Sequence, residues 1–170
     1  GWIWQEVQVP VIAAIHGFAL GGGLQIALGA DLRYVTADSQ LSIMEIKWGL
    51  IPDMSITQTM LGLVRVDVAK ELMFTGRIIS GTEAVALGLA TKVSEDPLAD
   101  ALETASLIAT KSPHAIRAGK ALLRDALKMP RADALKLETA LQVSLLGSPN
   151  QMEAVQANMA KRDPSFTDPE

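Results

Sequence analysis

Two regimes of hydrophobic patterning divide the chain. Up to Met44 the apolar residues come in short runs rich in β-branched side chains and punctuated by glycine. "VIAAIH", Val11 to His16, lies between Pro10 and Gly17 and predicts a buried strand. "LRYVTA", Leu32 to Ala37, predicts a second strand. "QLSIM", Gln40 to Met44, alternates and predicts a third. Between the first two, Leu24, Ile26, Ala27, Leu28 and Ala30 recur at helical spacing, so a helix is expected to begin at the glycines Gly21–Gly23. "EIKWGLIPD" is expected to be a loop, with Gly49 and Pro52 as punctuation.

Beyond that loop the period is helical. "SITQTMLGLV" follows Asp53, an expected N-cap. "RVDVAKELMFTG" ends at Gly76, a C-terminal stop. "SGTEAVALGLA" has Ser80 and Glu83 in the spacing of a capping box. "TKVS" is a short strand candidate, and Asp96 with Pro97 opens a further helix. "SPHAIRAGKALLRDALKM", "PRADALKLETALQVSLLG" and "PNQMEAVQANMAKR" predict three more amphipathic helices. The tail "DPSFTDPE" is expected to fray. Strands crowd the first part and helices the last. The expectation is therefore an α/β chain with a boundary near Ser112, dividing it into residues 1–111 and 112–170.

Composition narrows the chemistry. The chain has 170 residues, 49% of them hydrophobic, enough for a sizeable core. Its net charge of -4 argues against nucleic-acid binding. No apolar run approaches a membrane span. With no cysteine and two histidines, neither a thiol nucleophile nor a metal site is expected. A cytoplasmic location fits this composition. The opening "GWIWQEVQVP" is not expected to act as a signal peptide, since it is neither basic nor followed by a small-residue cleavage pattern.

Strand, glycine turn and helix is a common connection, and on its own "GGG" favours that bland reading. A P-loop would need a following Gly-Lys-Ser/Thr, and "GFALGGG" lacks the G-x-G-x-x-G spacing. What remains is a helix start with bare N–H groups. If negative charge forms there only during a reaction, the turn is an oxyanion hole. Glu45 follows the third strand at a loop, where its carboxylate can face a cleft; a solvated loop glutamate is the commoner fate. His16 is expected to be packed or turn-bonded, and His114 to be at the surface.

These residues carry a resemblance. "PVIAAIHGFALGGGLQIALGADLRYVTADSQLSIMEIKWGLIPD", "AKELMFTGRIISGTEAVALGLATKV" and "QANMAKRDPSF" resemble the crotonase superfamily, the enoyl-CoA hydratases and isomerases, over essentially the whole chain. The resemblance implies a spiral of ββα units followed by a helical region that builds a homotrimer or a dimer of trimers. It implies an acyl-CoA thioester substrate and no further cofactor. Gly22 would donate one of two backbone N–H groups to the thioester oxygen, and Glu45 matches the catalytic glutamate. Ala19, Leu20, Gly21, Gln25 and Trp48 are the substrate-binding candidates, Trp48 being equally suited to core packing. Lys161 falls where a lysine can approach the CoA phosphates.

Two departures qualify the match. The family's earlier strands, which carry the second oxyanion donor, have no counterpart here. A fragment is expected, or a second chain that supplies the missing N-terminal part. Gln25 stands where the hydratases have a second glutamate. An amide does not exchange a proton near neutral pH. Double-bond isomerisation by Glu45 alone is therefore favoured over hydration. Asp53 reopens the choice, because "E-x-x-x-G-L-x-x-D" resembles the dienoyl-CoA isomerases, and Asp53 could also serve a hydratase as its second carboxylate. From another class, a non-catalytic acyl-CoA-binding or assembly member remains an alternative.

Overall fold

The computed structural model describes residues 1–169. In chain order the elements are α1 (Ile3–Glu6), β1 (Ile12–Ile15), β2 (Phe18–Leu20), α2 (Gly22–Leu28), β3 (Leu32–Val35), β4 (Gln40–Ser42), a 3-10 turn (Glu45–Trp48), α3 (Ile56–Thr59), α4 (Val66–Thr75), β5 (Ile79–Ser80), α5 (Gly81–Leu87), β6 (Lys92–Val93), α6 (Pro97–Ala109), α7 (Pro113–Ala126), α8 (Arg131–Leu145) and α9 (Pro149–Ala160). The backbone packs as two units. One comprises Gly1–Val7 with Val11–Glu103, the other Gln8–Pro10 with Thr104 onward. Sequence places the division at Ser112, after α6; packing places it within α6.

The first unit holds two small sheets. β1, β3 and β6 form one, all parallel, in the order β1-β3-β6. β2, β4 and β5 form the other, with β2 parallel and β5 antiparallel to β4. The pair β1–β2 is thus repeated by β3–β4, each strand pairing in parallel with its counterpart. The four-residue register Ile12↔Leu32 to Ile15↔Val35 sets the first sheet. α2 turns Leu24 and Leu28, one helical turn apart, into a core with Leu41, Ile43, Met60, Ile79 and Leu89. Each such side chain, fully buried, contributes about 1.5–3 kcal/mol. Arg33 is buried at the sheet end, where Nε donates to the Leu89 carbonyl at 2.7 Å and Nη1 to that of Ala30. Burial pushes its guanidinium below the usual range, with Asp31 opposing.

Four local expectations need correction. β2 and β5 have no clear sequence signal, because β2 lies within the glycine-flanked "GFAL" and β5 has two residues. The helix expected after Asp53 shrinks to Ile56–Thr59, with Ser55 at its N-cap in a left-handed conformation (φ 73°) and no side-chain cap. Asp53 is exposed and does not cap this helix. The capping box is half formed: the Ser80 hydroxyl accepts from the Glu83 N–H at 3.1 Å, but the Glu83 carboxylate pairs with Arg77.

In the second unit α7 and α9 begin alike, with a serine cap (Ser112, Ser148) followed by proline. Over residues 163–169 the tail is tied down rather than frayed as expected; Glu170 lies outside the described residues. Buried Asn150 holds Thr167 by backbone and side-chain bonds, and its Nδ2 also reaches Nδ1 of half-buried His114 at 2.8 Å. Glu153 accepts from Arg162 at 2.6 and 2.9 Å and from the Ser165 N–H at 2.8 Å. The Arg162 bonds first, then the Ser165 N–H, hold its carboxyl down to about 2. A lowered folded value means that the tie stabilises above the ordinary carboxyl range and is lost as pH falls through about 2. Carboxyl NMR of Glu153 is expected to give a midpoint near that value; a midpoint in the ordinary range would refute the tie.

Candidate active site

The end of β2 and the end of β4 meet at one turn. The Gly21 N–H donates to the Ser42 carbonyl at 2.8 Å, extending the β2–β4 ladder by one bond. Gly21 then takes φ 53° and ψ -121°, a conformation that L-residues avoid, and α2 starts at Gly22. The first bond of the helix runs from the Gln25 N–H to the Gly21 carbonyl at 3.1 Å. The N–H of Gly22, as the first helical residue, has no acceptor within the helix. From β4 the chain passes Ile43 and Met44 into the 3-10 turn that carries Glu45. Gly49, left-handed at φ 68°, closes that turn by donating to Ile46 at 3.0 Å.

Glu45 is thereby brought to α2. Its Oε1 accepts from Gln25 Nε2 at 2.6 Å. A Cβ on Gly21 would lie 3.2 Å from the same oxygen. Glu45 Oε2 is buried and has no hydrogen-bond partner. Gln25 is 1% exposed, and its Oε1 accepts from the Met54 N–H at 2.8 Å. Three stretches of chain therefore converge: the glycine turn with α2, the turn after β4, and the backbone at Met54.

The remaining candidates divide. Ala19 and Leu20 sit in β2, opposite Leu41 and Ser42. Asp53 is exposed beside Met54. Trp48 is 69% exposed, so it does not pack in the core of this unit; Lys47 Nζ lies 5.4 Å above its ring. Lys161 belongs to the second unit, exposed at the left-handed end of α9. His16 is exposed rather than packed. An apolar cleft of about 460 Å³ runs along β1 between Trp4, Phe18 and Ile26, and Glu45 does not line it. No cluster of three or more metal-ligating side chains occurs among the described residues. The Met54 N–H escaped sequence reasoning, since a backbone donor leaves no signature in the residue type.

Comparison with known proteins gives this arrangement a family. Residues 3–169 match the family model described as Enoyl-CoA hydratase/isomerase, and the chain belongs to that family. It is 32% identical over 167 residues to the mitochondrial methylglutaconyl-CoA hydratase of Mus musculus, covering 95% of this chain and 53% of that protein. It is 36% identical over 165 residues to the peroxisomal Delta(3,5)-Delta(2,4)-dienoyl-CoA isomerase of Arabidopsis thaliana, covering 95% and 59%. The crystal structure of enoyl-CoA hydratase from Bacillus anthracis superposes with a TM-score of 0.93 at 32% identity, over 96% of this chain and 64% of that one. The chain spans about half the length of the curated relatives it matches. It is an α/β chain with the fold of those hydratases.

Proposed function

We propose that the protein shifts a double bond in an enoyl-CoA thioester, with Glu45 moving the proton and the Gly22 N–H stabilising the enolate. The observation that carries this reading is the buried, unpartnered Glu45 Oε2 beside the Gly21–Gly22 turn. Burying a polar atom unpaired costs about 1–3 kcal/mol, so such an atom in a native fold calls for a use. In the proposed step Oε2 removes a proton from the carbon next to the thioester. The C–H electron pair delocalises onto the thioester oxygen, where a fixed N–H donor is worth about 3 kcal/mol. The same carboxylic acid returns the proton two carbons further along. The double bond moves into conjugation, and Glu45 ends as it began.

Gln25 supports isomerisation over hydration. It is neutral, and its amide is engaged by Glu45 and Met54, so it offers no second base for a water. The test gives the full-length protein a 3-enoyl-CoA and a 2-enoyl-CoA. Isomerisation of the first is expected to exceed hydration of the second by about 100-fold, the share of a missing acid–base group. Equal rates would sink the isomerase reading. A second reading rests on Asp53, which adjoins Met54: a 3,5-dienoyl-CoA consumed by the wild type and spared by Asp53→Asn would favour dienoyl-CoA isomerisation. Binding of acyl-CoA with turnover of none of the three would mark a non-catalytic binder.

A further inference from the structure

Glu45 stands on a turn whose next five residues, Ile46 to Leu50, are all exposed. The hydrogen bond on its carboxylate comes from outside that turn. The donor is Gln25, which is 1% exposed on α2 and flanked by the core residues Leu24 and Leu28. The direction of the Gln25 amide follows from its partners. Met54 offers an N–H, so the amide oxygen faces Met54 and the NH2 group faces Glu45. That NH2 group occupies Oε1 and leaves Oε2 bare. The two oxygens of one carboxylate are thus made unequal by a neighbour that can only donate to them.

We propose that Gln25 is the positioning residue for Glu45: its amide pins Oε1 to α2, reserves Oε2 for the proton, and so suits the site to double-bond migration. This rests on the functional reading above. The proton leaves the carbon next to the thioester for Oε2, the C–H pair joins the enolate, and the O–H bond on Oε2 breaks as the new C–H bond forms. One oxygen takes and returns the proton, and no second base is used. A glutamate at position 25 would instead set two carboxylates within hydrogen-bond reach, and one of them would retain a proton. That pair has the acid and base that water addition needs.

The test uses the full-length protein with two variants. Gln25→Met keeps length and apolar bulk but removes both amide bonds. For 3-enoyl-CoA it is expected to lower kcat by about 10- to 100-fold while KM stays within about 3-fold, the signature of lost orientation. An unchanged kcat, or a loss confined to KM, overturns the proposal. Gln25→Glu keeps an acceptor for Met54 and is expected to raise the ratio of hydration to isomerisation at least 10-fold; an unchanged ratio overturns the link to reaction type. If the wild type turns over no enoyl-CoA, the functional reading fails by itself. The positioning is then decided by a crystal structure of Gln25→Met. Glu45 displaced or split between rotamers supports it, and Glu45 unmoved overturns it.

Discussion

Replacing Glu45 by glutamine is expected to lower turnover of an enoyl-CoA by about 1,000-fold or more in the full-length protein, with acyl-CoA binding changed less than about threefold. General acid–base catalysis by one positioned group contributes roughly 100- to 10,000-fold. The neighbour bonded to Glu45, Gln25, is a neutral amide and cannot take over the proton, so little of that is recoverable. The variant separates chemistry from folding. A glutamine at position 45 still presents an oxygen to the Gln25 amide, so the 2.6 Å bond has a partner and the turn keeps its anchor. Only Oε2 changes, from a proton acceptor to an NH2 group. Steady-state rates on 3-enoyl-CoA and calorimetric titration with a saturated acyl-CoA read the two effects apart. Retained turnover would remove Glu45 from the mechanism. Lost binding would mean that the carboxylate holds the fold or the ligand rather than moving a proton.

What the sequence made legible follows from the range of the interactions involved. β1, β3 and β4 are read from local runs of apolar residues, and α2 begins at Gly22, where strand gives way to glycine and then to helical spacing. The serine cap at Ser80 is equally local, since its bond spans three residues. Asp53 misleads for the opposite reason. Asp after Pro52 has the chemistry of an N-cap, but Ser55 turns left-handed and starts the helix two residues later. The tail misleads because its anchors, Asn150 and Glu153, lie 12 or more residues back. At the candidate site Gln25 looks like a missing glutamate when judged by its position alone. Its meaning lies in partners 20 and 29 residues away, Glu45 and Met54, and no local pattern encodes that pairing.

The three consecutive glycines are expected to respond differently to alanine, and Gly21→Ala is expected to be the damaging change. Gly21 sits at φ 53° and ψ -121°, which costs a side-chain-bearing residue on the order of 2–3 kcal/mol. That corresponds to a fall in Tm of roughly 4–12 °C for a chain of this size. The new methyl would also stand 3.2 Å from Glu45 Oε1, crowding the oxygen that Gln25 holds. A displaced base loses about 100-fold in rate for a shift of about 1 Å, so kcat falls as well as Tm. At Gly22 the nearest atom to an added Cβ is Met54 Sδ, at 3.0 Å, the flexible end of a methionine that can swing aside. Gly23 has an ordinary helical backbone and open space, and alanine there gains up to about 1 kcal/mol of helix stability. Thermal melts of the three variants test the order, and Gly21→Ala as stable as Gly23→Ala would refute it. The order matters for function because the turn has two demands to meet at once. It must reverse the chain tightly enough for Gly22 to open α2 with a free N–H, and it must leave room for a carboxylate against the backbone. Gly21 meets both, the first through its φ and the second through the missing Cβ.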